Sequence, residues 1–235
     1  TGGTRGLGRA IAMAFAREGA RVAFTGSRED ADLEETRALV AATGAAPLVF
    51  KGSVADAVHV RDTVAAVLGA WGGIDVLVNA AGINQILPIA LLEEKDWDWV
   101  MDVNVKGAYL FSRAVLRPMI KSRRGSILNV GVFSSERIVE SPVHFAAAKS
   151  ALRGMTEALA REVGRYGITV NLLAPGLLDV GMGQTLPQHR LDEYVDQCAL
   201  GRLGTAAEVA EAAVFLASDA ARFVTGAKLV LDGGL

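Results

Sequence analysis

Cysteine is nearly absent: Cys198 is the only one in 235 residues. It has no partner for an internal disulfide and no metal-ligand neighbours, so a disulfide-stapled fold is excluded and no metal site is expected. Charge of one sign is equally scarce. Twenty-four Lys and Arg against 26 Asp and Glu leave a formal net charge of −2. Nucleic-acid binding needs a concentrated basic face, so nucleic acid is not expected as a partner. No apolar run approaches the roughly 20 uncharged residues of a membrane span, so no membrane partner is expected. No secretory signal is visible at the start, and a reducing, cytoplasmic setting is the expectation. There is no repeat, low-complexity segment or linker, so residues 1–235 are read as one domain. What the chain has in quantity is apolar material, 51% of residues against 21% charged, enough for a large core.

That material is distributed in alternation. Strand-like runs fall at 21–25, 47–50, 75–78, 126–130, 169–173 and 228–231, with helical stretches near 7–18, 29–42, 55–70, 102–122, 143–165 and 206–218. In the first helix Leu7, Ile11 and Phe15 recur every four residues and make one apolar stripe. Strands of continuous apolar character suit burial on both faces. Regular strand–helix alternation predicts an α/β, doubly wound Rossmann fold, a parallel sheet flanked by helices. Its ligand crevice lies at the carboxyl ends of the strands. A segment at 180–200, with Gly181, Met182, Gly183, Pro187, Gln188 and His189, interrupts the alternation and is placed as a flap over that crevice.

The first residues, Thr1-Gly2-Gly3-Thr4-Arg5-Gly6-Leu7-Gly8, open directly into a helix. Glycines permit the tight turn and the close approach of backbone to a pyrophosphate, and the helix N-terminus supplies free N–H groups. A Rossmann sheet needs a strand just before this turn, so a first strand upstream of Thr1 is expected. An acid at the end of the next strand would select a free ribose 2′-hydroxyl. Here Gly26-Ser27-Arg28 stands in that place. Arg5 and Arg28 can pair with a 2′-phosphate and Ser27 can donate to it, which favours NADP(H). The cofactor contacts are read as Gly2, Thr4, Arg5, Gly6, Leu7, Gly8, Ser27, Arg28, Ser53, Val54, Asn79, Ala80, Gly82, Lys149, Pro175 and Gly176.

The glycine turn, Asn79-Ala80-Ala81-Gly82, Asn104, Lys149, Pro175-Gly176, Gly201-Arg202-Leu203-Gly204 and the closing Asp232-Gly233-Gly234 together resemble the short-chain dehydrogenase/reductase family. The likeness is greatest to the branch holding the 3-oxoacyl-acyl-carrier-protein reductases. The resemblance implies an oxidoreductase acting on CH–OH or C=O groups, with a small-molecule or acyl-carrier-bound substrate, and a homodimer or homotetramer. It also implies four catalytic roles: a proton-transferring Tyr, a Lys four residues on, an upstream Ser that binds the substrate oxygen, and an Asn that connects the Lys to solvent. Lys149 and Asn104 match. The Tyr position holds Phe145, the Ser position Val132, and a Thr that usually follows Pro-Gly is replaced by Val180.

A carbonyl that accepts hydride develops negative charge on oxygen, which must be protonated or hydrogen-bonded. Phe145 and Val132 do neither. Ordinary ketone reduction is therefore expected to be weak or absent, unless Ser134 or His144 substitutes. Ser134 lies just past the expected Ser. His144 adjoins Phe145, but points about 100° away from it on a helix and reads as an interface or surface residue. Glu136 and Glu140 read as loop charges. Two readings stay open: an altered or repurposed enzyme (isomerase, dehydratase, cyclase), and a non-catalytic NADPH-binding or scaffold subunit that pairs with an active reductase.

Overall fold

The computed structural model describes residues 1–28, 30–135 and 140–235, so the expected helix start at Glu29 and the loop acid Glu136 lie outside the described residues. Helices and strands alternate in chain order: α1 (Gly6–Arg17), β1 (Ala23–Gly26), α2 (Ala31–Ala41), β2 (Leu48–Lys51), α3 (Ala57–Trp71) and β3 (Val76–Asn79). Then follow α4 (Glu94–Met101), α5 (Gly107–Ser122), β4 (Gly125–Val130), α6 (Val143–Val163), β5 (Ile168–Pro175), α7 (Gln188–Gln197), α8 (Ala206–Ala217) and β6 (Lys228–Leu231). Two helices were not expected. In α4 only Val100 is buried, and in α7 only Tyr194. α4 is only eight residues long, and the short stripe of α7 (Leu191, Tyr194 and Val195) lies inside the segment read as a flap.

All strand pairs are parallel. β3, β4, β5 and β6 form one four-stranded sheet in that order, while β1 pairs only with β2. The central strand β4 is buried along its whole length, and its neighbouring residues serve opposite faces. Ile127 packs with Val60 and Val64 of α3 and Phe111 and Val115 of α5. Leu128 packs with Ile11 and Ala14 of α1 and Ala210 and Ala213 of α8. Helices thus cover both sides of the sheet, which is the doubly wound arrangement.

Between β1 and β3 the sheet is interrupted. A cavity of about 270 Å³ lies there, lined by Val22, Phe24, Val76, Val78, Ile11 and Phe111 among others. Gly3 N–H donates to the Thr25 carbonyl at 3.1 Å, which ties the glycine turn to β1.

Candidate functional site

The carboxyl ends of β1, β3, β4 and β5 converge on one crevice, and each brings a short turn to it. The glycine turn is built so that side chains do not fit. Gly2 has φ +66°, and a Cβ on it would lie 2.8 Å from Ala81 N. A Cβ on Gly8 would collide with the Gly2 carbonyl. The α1 N-terminus has no side-chain cap and no acid in its first turn, so its N–H groups face outward unneutralised. Thr1 Oγ1 accepts from Ala81 N–H at 3.2 Å, which ties this turn to the one after β3. Such a cradle fits a pyrophosphate.

Arg5, Ser27 and Arg28 are exposed at the rim, on the two sides of the turn where β1 ends. Thr4 packs over that end, for a Cβ on Gly26 would strike its methyl group. Ser53 is exposed and accepts from Ala55 N–H, while Val54 is buried against Gly107 and serves the core. Asn79, counted among the cofactor contacts, is 4% exposed, and its amide nitrogen is directed inward. It donates to Asn129 Oδ1 at 2.9 Å and Ser112 Oγ at 3.1 Å, and Asn129 in turn donates to Thr156 Oγ1. That buried chain pins β3, β4 and α6 together behind the crevice. Pro175 and Gly176 are buried at the end of β5, where Gly176 N–H donates to the Leu231 carbonyl. A Cβ on Gly176 would meet the Tyr194 hydroxyl.

Lys149, Asn104 and Gly82 come together. A Cβ on Gly82 would lie 2.8 Å from Asn104 Oδ1 and 3.1 Å from Lys149 Nζ. Asn104 sits in a π-helical turn, Asp102–Lys106, between α4 and α5. Such turns insert a residue into a helix and are frequent at functional sites. Its Nδ2 donates to the Ile83 and Val100 carbonyls, both at 2.9 Å. Its Oδ1 is buried without a donor. Lys149, 3% exposed, donates to the Val130 carbonyl at 2.9 Å and lies 5.7 Å from the centre of the Phe145 ring. An ammonium has three protons to share, so this one is under-coordinated. Burial lowers its pKa to about 8.

That shift has a measurable consequence. Between about pH 8 and the unfolded value near 10.5, the folded chain binds fewer protons than the unfolded chain at Lys149. Stability must therefore rise with pH across that window, by up to ~3 kcal/mol at 1.36 kcal/mol per unit. Urea titrations at several values in the window are expected to show this slope in the wild type and to lose it in Lys149→Met. Identical slopes would mean that the ammonium is not desolvated.

Phe145, one helical turn before Lys149 on the same face of α6, is 4% exposed and offers no proton. Val132 is half-buried and packs on a cluster of Phe133, Tyr194 and Cys198. Ser134 lies in a short helical turn, Phe133–Ser135, and is half-buried. His144 requires a correction. It was expected at a surface or interface, yet its exposure is 0%. The chain turns into α6 so tightly that consecutive residues, His144 and Phe145, are both enclosed. Neither ring nitrogen of His144 has a hydrogen-bond partner, and burial lowers its pKa against the opposing pull of Asp96. Glu140 is paired with Arg190 of α7, which also holds Glu193.

After β5 the chain passes beside the glycine turn, with Gly181 Cα 3.9 Å from where a Cβ on Gly6 would sit. Leu178 and Gly204 are joined by a single parallel bridge beneath it. Among the described residues no group of three or more His, Cys, Asp or Glu is placed to hold a metal ion, and no helix is long and apolar enough to cross a membrane.

A family profile described as enoyl-(acyl carrier protein) reductase matches residues 2–235. The chain is 38% identical over 235 residues to the 3-oxoacyl-[acyl-carrier-protein] reductase FabG of Chlamydia muridarum, covering 100% of this chain and 95% of that protein. Against FabG of Escherichia coli the identity is 34%, with the same coverage. Among solved structures, a putative short-chain alcohol dehydrogenase from Sinorhizobium meliloti superposes with a TM-score of 0.93 at 34% identity, over 99% of this chain and 92% of that one. A Serratia marcescens short-chain dehydrogenase/reductase gives 0.92 at 34% identity, over 99% and 94%.

Proposed function

The chain belongs to the short-chain dehydrogenase/reductase family, and we propose that it binds NADP(H) in this crevice but reduces ordinary ketones poorly. When bound, the dinucleotide supplies or accepts hydride. The chain's own residues do the rest. The glycine turn and the α1 N-terminus hold the pyrophosphate, Arg5, Ser27 and Arg28 take the 2′-phosphate, and Lys149 holds the ribose. The substrate is a carbonyl or hydroxyl compound, free or carried on an acyl carrier.

One observation carries the second half of the reading. The residues that the family resemblance aligns with the substrate oxygen's two donors are Val132 and Phe145, and both are apolar. Phe145 is 4% exposed, and its ring has no proton to donate. A second reading, a non-catalytic NADPH-binding subunit of an active reductase, draws on the same observation. Exposed apolar side chains on two sides give either reading surfaces for self-association or a partner: Trp99 and Tyr109 on α4 and α5, Phe215 and Phe223 at α8 and beyond.

The test is a titration of NADPH and then NADH into the isolated protein, followed by nicotinamide fluorescence. NADPH is expected to bind several-fold more tightly, because only it fills the two-arginine rim. Absence of NADPH binding would remove the cofactor reading. Turnover of a 3-oxoacyl thioester that appears only on adding a second chain would favour the subunit reading.

A further inference from the structure

Arg9 lies in the second turn's worth of α1, behind the phosphate turn, in a position with no part in the glycine motif. Its guanidinium is nevertheless the most connected side chain near the site. Nη2 and Nε both donate to the Thr4 carbonyl, at 3.0 and 3.2 Å. Nε also donates to Thr36 Oγ1 at 2.7 Å, and Nη2 to the Asp32 carbonyl at 3.1 Å. Two acids of α2 are paired with it, Asp32 at 3.2 Å and Glu35 at 2.7 Å. Thr36, fully buried, closes the ring by donating to the same Thr4 carbonyl at 2.6 Å.

Two consequences follow for the neighbouring rim. Thr4 immediately precedes Arg5, and α2 begins just after Ser27 and Arg28. The clamp therefore fixes the separation between the two halves that would grip a 2′-phosphate. It also neutralises two carboxylates that stand at the head of α2, where they would repel that phosphate. A planar five-donor fork can do both at once, and few other side chains can.

We propose that Arg9 is a positioning residue that sets the preference for NADP(H) over NAD(H). This rests on the cofactor reading above. Arg9 is held by Thr4, Asp32, Glu35 and Thr36 and acts through them.

The test compares dissociation constants for NADPH and NADH in wild type, Arg9→Met, Arg9→Lys and Glu35→Gln, with thermal unfolding of each. Arg9→Met is expected to weaken NADPH by about tenfold and NADH by less than about threefold, a loss that shrinks at high salt. Arg9→Lys keeps the charge and should recover part of the preference. Glu35→Gln, an exposed change that does not endanger folding, should tighten NADPH by roughly twofold and leave NADH unchanged. A purely structural Arg9 would instead lower the melting temperature and weaken both cofactors equally. That result, or an unchanged preference in Glu35→Gln, overturns the proposal. A wild type that binds neither dinucleotide would instead overturn the cofactor reading on which it stands.

Discussion

Val132→Ser combined with Phe145→Tyr is expected to raise the rate of NADPH-dependent reduction of a 3-oxoacyl thioester by at least ~10³-fold. The estimate comes from the chemistry of the developing alkoxide. A positioned general acid typically contributes 10²–10⁴-fold, and a preorganised oxyanion donor a similar factor. On the proposed reading both are missing where Val132 and Phe145 stand, while Lys149 and Asn104 are in place to support them. Lys149 lies 5.7 Å from the Phe145 ring centre, near enough for its cation to lower the pKa of a phenol placed on that ring. Asn104 Oδ1 is unpaired beside it. Phe to Tyr adds a single oxygen, whereas Val to Ser removes apolar packing at half-buried Val132, so thermal unfolding of each variant accompanies the rates. Either single change should give a much smaller gain, because the two donors act on one oxygen and their effects are not additive. The check is steady-state oxidation of NADPH at 340 nm for the four proteins. If the double variant binds NADPH and still turns over no faster than the wild type, Val132 and Phe145 are not where the chemistry is lost.

Much of this architecture is legible in the sequence, for identifiable reasons. The run 126–130 reads as a strand because Ile127, Leu128 and Val130 are apolar; every residue of β4 is buried, and the polar Asn129 is accommodated by its hydrogen bonds to Asn79 and Thr156. The stripe of Leu7, Ile11 and Phe15 marks α1 because one face of that helix meets the sheet. α4 and α7 are missed because they are short and bury one residue each, although Leu191, Tyr194 and Val195 mark one face of α7. At the site, the pairing of position 145 with Lys149 follows from four-residue helical spacing. The complete burial of His144 does not, because it depends on where α4 and the segment after Gly82 pack, and neither is encoded near residue 144. The Arg9 clamp was invisible for a related reason. Its partners Thr4, Asp32, Glu35 and Thr36 are brought together by the packing of α2 on α1, and no local pattern announces it.

The most direct measurement is made on the unmodified protein. It is saturated with NADPH, an acetoacetyl thioester is added, and absorbance at 340 nm is followed against fluorescence of the bound nicotinamide. The account predicts that NADPH binds and stays reduced, with a rate of oxidation orders of magnitude below that of the Val132→Ser, Phe145→Tyr variant. Steady oxidation by the wild type at a rate matching that variant would contradict it, and would mean that a proton donor other than the two missing hydroxyls serves this site.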